Sequence, residues 1–375
     1  MKPLLLLALG ATLAAGPAIN LLAADTATRW TSARANAWQR DHGWLAGCNF
    51  APSTAINQLE MWQADTFDLA TIDRELGWAE QLGFNSARVF LHDLLWEQDA
   101  QGLLRRMDEF LAVADKHHIG IMFVLFDGVW DPQPKAGLQR APRPHVHNSG
   151  WVQSPGAKIL KDPARYDSLQ PYVQGVLRRF KDDRRIHAWD LFNEPDNMNI
   201  PDYRKLEPAN KPDLAMALLE KTFAWARAVD PAQPLTAAIW LDYEGFAANP
   251  PIYQCMLANS DIITFHNYAP LDDVKKEVEA LKARFDRPVL CTEFMARSVK
   301  STFDPILGYL KSQQVGAYCW GLVDGKTQTI YPWESWEKAY IGEPFLWHHD
   351  IFRRDGTPYN AKEFAYIRRV TGKDK

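Results

Sequence analysis

Eight short apolar runs recur along this chain, most of them followed by a loop and then a one-sided helical stripe. The runs are Trp44–Phe50, Ser86–Leu91, Gly120–Phe126, Ala188–Phe192, Leu235–Trp240, Ile262–His266, Val289–Glu293 and Gly316–Gly321. Their length and the turn residues around them predict buried strands. Helical stripes lie between them over Asp68–Leu82, Gly102–His117, Tyr166–Phe180, Pro212–Val229, Leu271–Phe285, Thr302–Gln313 and Tyr359–Val370, with a short helix in the 250s. Leu271, Val274, Val278, Leu281 and Phe285 share one face, and Pro212 sits where a first turn tolerates it. Strand–helix alternation on this scale predicts an α/β fold, a (β/α)8 TIM barrel with long βα loops after strands 3 and 8. An open doubly wound sheet is the alternative, and it lacks a glycine-rich phosphate loop after its first strand.

The 375 residues, 47% hydrophobic, suffice for a large core. Residues 1–24 read as a secretory signal: Lys2, an apolar stretch broken by Gly10, Gly16, Pro17 and Asn20, then Ala23 and Ala24. The stretch is too interrupted for a span of roughly 20 residues. We expect residues 25–375 to form one (β/α)8 domain, secreted or periplasmic and free of the membrane once the signal is cleaved. A formal charge of −4 without a long basic run gives no support for nucleic-acid binding. Cys48, Cys255, Cys291 and Cys319 read as buried thiols rather than disulfides, since three lie in apolar runs. The sequence is silent on oligomeric state.

Two of the strands end in an acid: Glu194 closes His187–Glu194 and Glu293 closes Pro288–Glu293. A carboxylate at the lip of an apolar strand is costly unless solvated, paired or used. Barrel sites form at the C-terminal strand ends, and strands four and seven face each other across the mouth. The two acids therefore predict a paired-carboxylate site. Trp130, Trp151, Trp333, Trp336 and Trp347 fall in loops, where flat faces with a polar edge suit sugar-like ligands.

Trp189-Asp190-Leu191-Phe192-Asn193-Glu194-Pro195 and Thr292-Glu293-Phe294 resemble the fourth- and seventh-strand motifs of glycoside hydrolase clan A, whose best-known member is the cellulase and mannanase family 5. The resemblance covers residues from about 40 to 370. It implies a retaining β-glycosidase acting on gluco- or manno-configured oligo- or polysaccharide through a covalent glycosyl-enzyme, with no cofactor and no metal. Glu293 would be the nucleophile and Glu194 the acid/base. Asn193 would meet the sugar 2-hydroxyl. Arg88, in the second strand, would keep Glu293 ionised, with an ion pair to Glu75, Asp93 or Glu97 as the structural alternative. His266-Asn267-Tyr268 matches the family's His-x-Tyr, which implies a Tyr268 hydroxyl on Glu293 and His266 beside the sugar. Trp320 would floor the sugar site, and Trp240 would line a neighbouring one.

The pattern also departs from the family. The usual histidine after strand three is missing, and Asp127 or His92 stands nearest to it. Trp130, Trp151 and Asp324 are further candidates for sugar contact, with Lys326 beside Asp324. The loop from about Asp127 to Asp162 is unusually long. Its His145-x-His147 pair is weak evidence for a metal. With the long strand-eight loop, Leu322 to Pro358, it predicts a walled pocket suited to short chains or chain ends. Two other readings remain: a catalytically silent carbohydrate-binding barrel and a metal-dependent barrel hydrolase.

Overall fold

All eight apolar runs form parallel strands: β1 (Ala46–Asn49), β2 (Ser86–Phe90), β3 (Gly120–Asp127), β4 (Ile186–Asn193), β5 (Leu235–Thr236), β6 (Ile263–His266), β7 (Val289–Phe294) and β8 (Gly316–Trp320). The computed structural model describes residues 28–374; the expected leader lies outside them. The strands run in the order β5-β4-β3-β2-β1-β8-β7-β6. A single parallel bridge, Ile239 to Phe265, joins the two ends into a nearly closed barrel. The weak seam has a local cause. Strand five stops at Thr236, where the next amide, Ala237, donates to the Ser260 hydroxyl at 3.2 Å instead of to a strand.

Helices fill the expected stretches, and the apolar faces of helices and strands form one large cluster between the two layers. The helix after β2 begins earlier than expected, at Asp93, capped by His92 and kinked at Asp99. A further helix, Ser32–His42, was not evident from periodicity. It joins a second cluster of Trp30, Trp38, Leu45, Met122, Ala188, Ile262, Leu290 and Tyr318, placing it at the N-terminal ends of the strands. There the Trp38 indole N–H donates to the His187 carbonyl at 3.1 Å, so the base of the barrel is sealed and the opposite rim is left for a site.

Strand register sets that rim. Asn49 pairs with both Arg88 and Trp320, Asp127 with Asn193, and His266 with Glu293. The last pairing follows a register shift after Phe265–Cys291. Such a bulge re-aims a side chain, and here it sets Glu293 beside His266. Cys48, Cys291 and Cys319 are buried free thiols, and Cys255 is a partly buried one. No helix among the described residues is long and apolar enough to cross a membrane.

Candidate active site

Glu293 receives two donors. Arg88 Nη1 lies 2.8 Å from Oε1 and the Tyr268 hydroxyl 2.8 Å from Oε2. Arg88 is fully buried and needs more than one acceptor. It finds Asp190 Oδ2 at 2.7 and 3.0 Å, Asn49 Oδ1 at 2.8 Å and Asn193 Oδ1 at 2.7 Å. None of the acids named as structural alternatives holds it: Glu75 accepts from the Ser53 amide and Asp93 from the Ser154 hydroxyl.

Glu194 sits opposite. Its Oε1 is 2.8 Å from His266 Nδ1, and its Oε2 accepts from Asn197 Nδ2 at 2.7 Å. One oxygen from each glutamate and one nitrogen of His266 lie within 4.8 Å of one another. Glu194 adopts φ +40°, a left-handed conformation uncommon outside glycine. Strain of this kind costs on the order of 1–3 kcal/mol and persists where the surroundings fix it. Here the Gly128 amide donates to the Asn193 carbonyl at 2.8 Å. Buried Lys211 bonds the carbonyls of Gly128 and Asn197, at 2.7 and 2.6 Å, and Glu207 at 2.6 Å.

The charges divide unevenly. Burial raises both carboxyls, Glu194 to about 7. For Glu293, His266, Arg88 and the Tyr268 hydroxyl oppose that rise, while Glu194 adds to it. Glu293 has the Arg88 guanidinium in contact, and Glu194 has none. Burial also lowers His266 to about 4, leaving a neutral ring at pH 7. Although Glu194, Glu293 and His266 are grouped like ligands, the Arg88 guanidinium already neutralises Glu293, which disfavours a cation between them.

The remaining candidates separate into two groups. Trp320, Trp240, Trp130, Trp151, Asp127 and Asn193 line a cavity of about 650 Å³ with the two glutamates. Asp127 stands at the end of β3 and accepts from Asn193 Nδ2 at 2.9 Å and from the Trp151 indole at 2.6 Å. Burial raises its carboxyl to about 6. His92 is elsewhere: its Nδ1 accepts the Leu94 amide at a helix start. Asp127 therefore holds the place left open after strand three. Asp324 is a correction. It does not line the cavity, because it pairs with Arg354 at 3.3 Å, and Lys326 pairs with Glu60 at 2.6 Å.

Asn197 and His349 were not evident in the sequence, and Trp333 stood there only among the loop indoles suited to sugars, yet all three line the cavity. The last two come from the strand-eight loop, whose path no periodicity reveals. That loop meets the strand-three loop directly: the Asn148 amide donates to the Thr327 carbonyl at 2.8 Å, the His147 amide to Ser335 Oγ at 2.9 Å, and the Trp336 indole to the His147 carbonyl at 2.8 Å. Trp130 stacks on Trp336 with centroids 5.6 Å apart.

A family model described as "Glycosyl hydrolase catalytic core" matches residues 181–334. The matched segment runs from before β4 into the strand-eight loop and contains both glutamates, His266, Tyr268 and Trp320. The chain is a glycosidase resembling family 5 of clan A. Solved structures agree on the fold. An endo-1,4-β-mannanase from Rhizomucor miehei is 18% identical, with 75% of this chain and 86% of that one covered and a TM-score of 0.52. An exo-β-1,4-mannosidase from Opitutaceae bacterium strain TAV5 is 18% identical, with coverage of 88% and 59% and a TM-score of 0.59. GH5_18 from Streptomyces cattleya, in complex with GlcNAc, is 14% identical, with coverage of 88% and 81% and a TM-score of 0.57. No curated protein matches the chain significantly in sequence. In this glycosidase Glu194 and Glu293 line the cavity together with Asp127.

Proposed function

We propose that this glycosidase hydrolyses β-linked gluco- or manno-configured oligosaccharides with retention, by double displacement. The carrying observation is the pair itself, with oxygens of Glu194 and Glu293 within 4.8 Å. A retaining pair needs about 5–5.5 Å between carboxyl groups, whereas an inverting pair leaves room for water at roughly 6.5–9.5 Å. Glu293, ionised beside Arg88, attacks the anomeric carbon. Glu194 gives its proton to the departing glycosidic oxygen, and a glycosyl ester on Glu293 results. Glu194, now a carboxylate, takes a proton from water. The hydroxide equivalent attacks the same carbon and frees Glu293.

The neighbours suit these steps. Asn193 Nδ2 spends one N–H on Asp127 and keeps the other for a sugar 2-hydroxyl, a contact that strengthens in the transition state. Asp127 can accept from a sugar hydroxyl, and Trp320 offers an apolar face. The fold neighbours include a mannanase, a mannosidase and a β-glucosidase, which favours manno or gluco substrates. The interlocked loops favour short chains or chain ends, and the apolar leader favours export to the periplasm or the medium. Defined β-linked oligosaccharides, screened with product mapping, test the reading. Release of small sugars from chain ends is expected. Rapid viscosity loss of a long polysaccharide with few new reducing ends would overturn the chain-end preference, and inertness towards every β-linked gluco and manno oligomer would overturn the substrate class.

A further inference from the structure

Three histidines outside the carboxylate pair converge at the cavity wall: His147 on the strand-three loop, and His348 and His349 on the strand-eight loop. All three are buried. One ring nitrogen from each lies within 4.8 Å of the other two. Ring centroids are 4.2 Å apart for His348–His349, 5.4 Å for His147–His349 and 5.6 Å for His147–His348.

The outer nitrogens are engaged. His147 Nδ1 is 2.7 Å from the Tyr331 carbonyl, His349 Nδ1 is 2.6 Å from the Met295 carbonyl, and His348 Nδ1 is 2.7 Å from Ser298 Oγ. A carbonyl can only accept, so Nδ1 of His147 and of His349 carries the proton and Nε2 keeps a lone pair. His348 Nε2 is buried with no partner. An oxygen behind each ring that fixes tautomer and orientation is how metal-binding histidines are commonly supported. The backbone behind them is rigid as well, since Arg297 donates to the carbonyls of His349 and Asp350 at 2.7 and 2.9 Å.

We propose that His147, His348 and His349 bind one divalent cation of the zinc class through Nε2, pinning the two loops together. Three neutral imidazoles match zinc's preference for nitrogen ligands, and a fourth position is left for water or a sugar hydroxyl. His147 and His349 line the cavity, so that position faces it. Burial, foremost, holds all three rings uncharged at neutral pH, with His147 lowered to about 4 and His348 to about 2. A neutral ring is the form a metal requires. The alternative is an aromatic cluster with no ion, in which His348 Nε2 stays buried without a partner. In the sequence only His145-x-His147 hinted at a metal, and His145 turns instead to the Tyr331 hydroxyl. The adjacent His348-His349 pair supplies the missing ligands.

The test uses the untagged full chain, stripped with chelator, loaded with Zn²⁺ and gel-filtered before elemental analysis. One zinc per chain is expected, and Co²⁺ in its place should give the visible bands of a four-coordinate ion. His348→Gln should weaken binding by more than about 100-fold, and Ser298→Ala, which leaves all three rings in place, by about tenfold. A wild-type chain that retains no zinc and gives no cobalt bands overturns the proposal. So does binding that neither substitution weakens. Neither readout depends on sugar hydrolysis.

Discussion

In the proposed mechanism Glu194 holds a proton that Glu293 gives up, and the difference lies in one guanidinium. Arg88 lies 2.8 Å from Glu293, whereas Glu194 has only the His266 ring and the Asn197 amide. Glu293→Gln should therefore abolish turnover of every substrate. Glu194→Ala should cost on the order of 10²–10⁴-fold on natural substrates while sparing aryl glycosides whose leaving groups need no proton. Steady-state rates on both substrate types check this, and equal loss in both variants on aryl glycosides would reverse the assignment. The sign of the pH effect follows too. Activity needs Glu194 protonated, and burial places its folded value at about 7. The wild-type kcat/KM should fall as pH rises through about 7, and the Glu194→Ala variant acting on aryl glycosides should lack that limb. At this scale much of the site was legible, because an acid, an arginine or an Asn-Glu-Pro stands out against apolar strands. Asn197 and His349 were not, because their roles depend on where loops return.

The strands carry these side chains, but their irregularities aim them. β7 slips register beside β6 so that His266 meets Glu293, and at Glu194 the backbone turns left-handed. Gly128 is needed where it stands: an added Cβ would lie 2.3 Å from the Glu194 carbonyl oxygen and 2.9 Å from Pro195 Cα. Gly128→Ala should keep the fold and lower kcat by on the order of 100-fold, as small misplacements do. Circular dichroism with steady-state kinetics separates the two effects. Lys211 and Glu207 form a fully buried pair. Lys211→Met would strand a carboxylate and should cost about 3–5 kcal/mol in denaturant unfolding. Most regular elements were legible from apolar spacing, though the helix after β2 begins at Asp93, well before its expected start at Gly102. The bulge and the early end of β5 were not, because a slipped register and a serine hydroxyl from after a later helix leave no periodic trace.

At the scale of the whole molecule, the barrel separates stability from chemistry. Its base is sealed by Trp30 and Trp38 against interior residues of several strands, while its rim carries the acids and the two interlocked loops. Trp38→Ala should lose about 3–5 kcal/mol of stability yet leave kcat unchanged at a permissive temperature, as denaturation curves and rates would show. The strand count alone foretold the barrel and the facing of strands four and seven. It said nothing of the helix at the base, whose weak stripe hides its packing, nor of the contacts that join the rim loops. Double displacement requires Glu293 to become covalently glycosylated during turnover. Peptide mass spectrometry after reaction with an activated 2-deoxy-2-fluoro-β-glycoside tests it directly. One sugar per chain is expected, on the peptide bearing Glu293. A sugar attached to any other residue would contradict it.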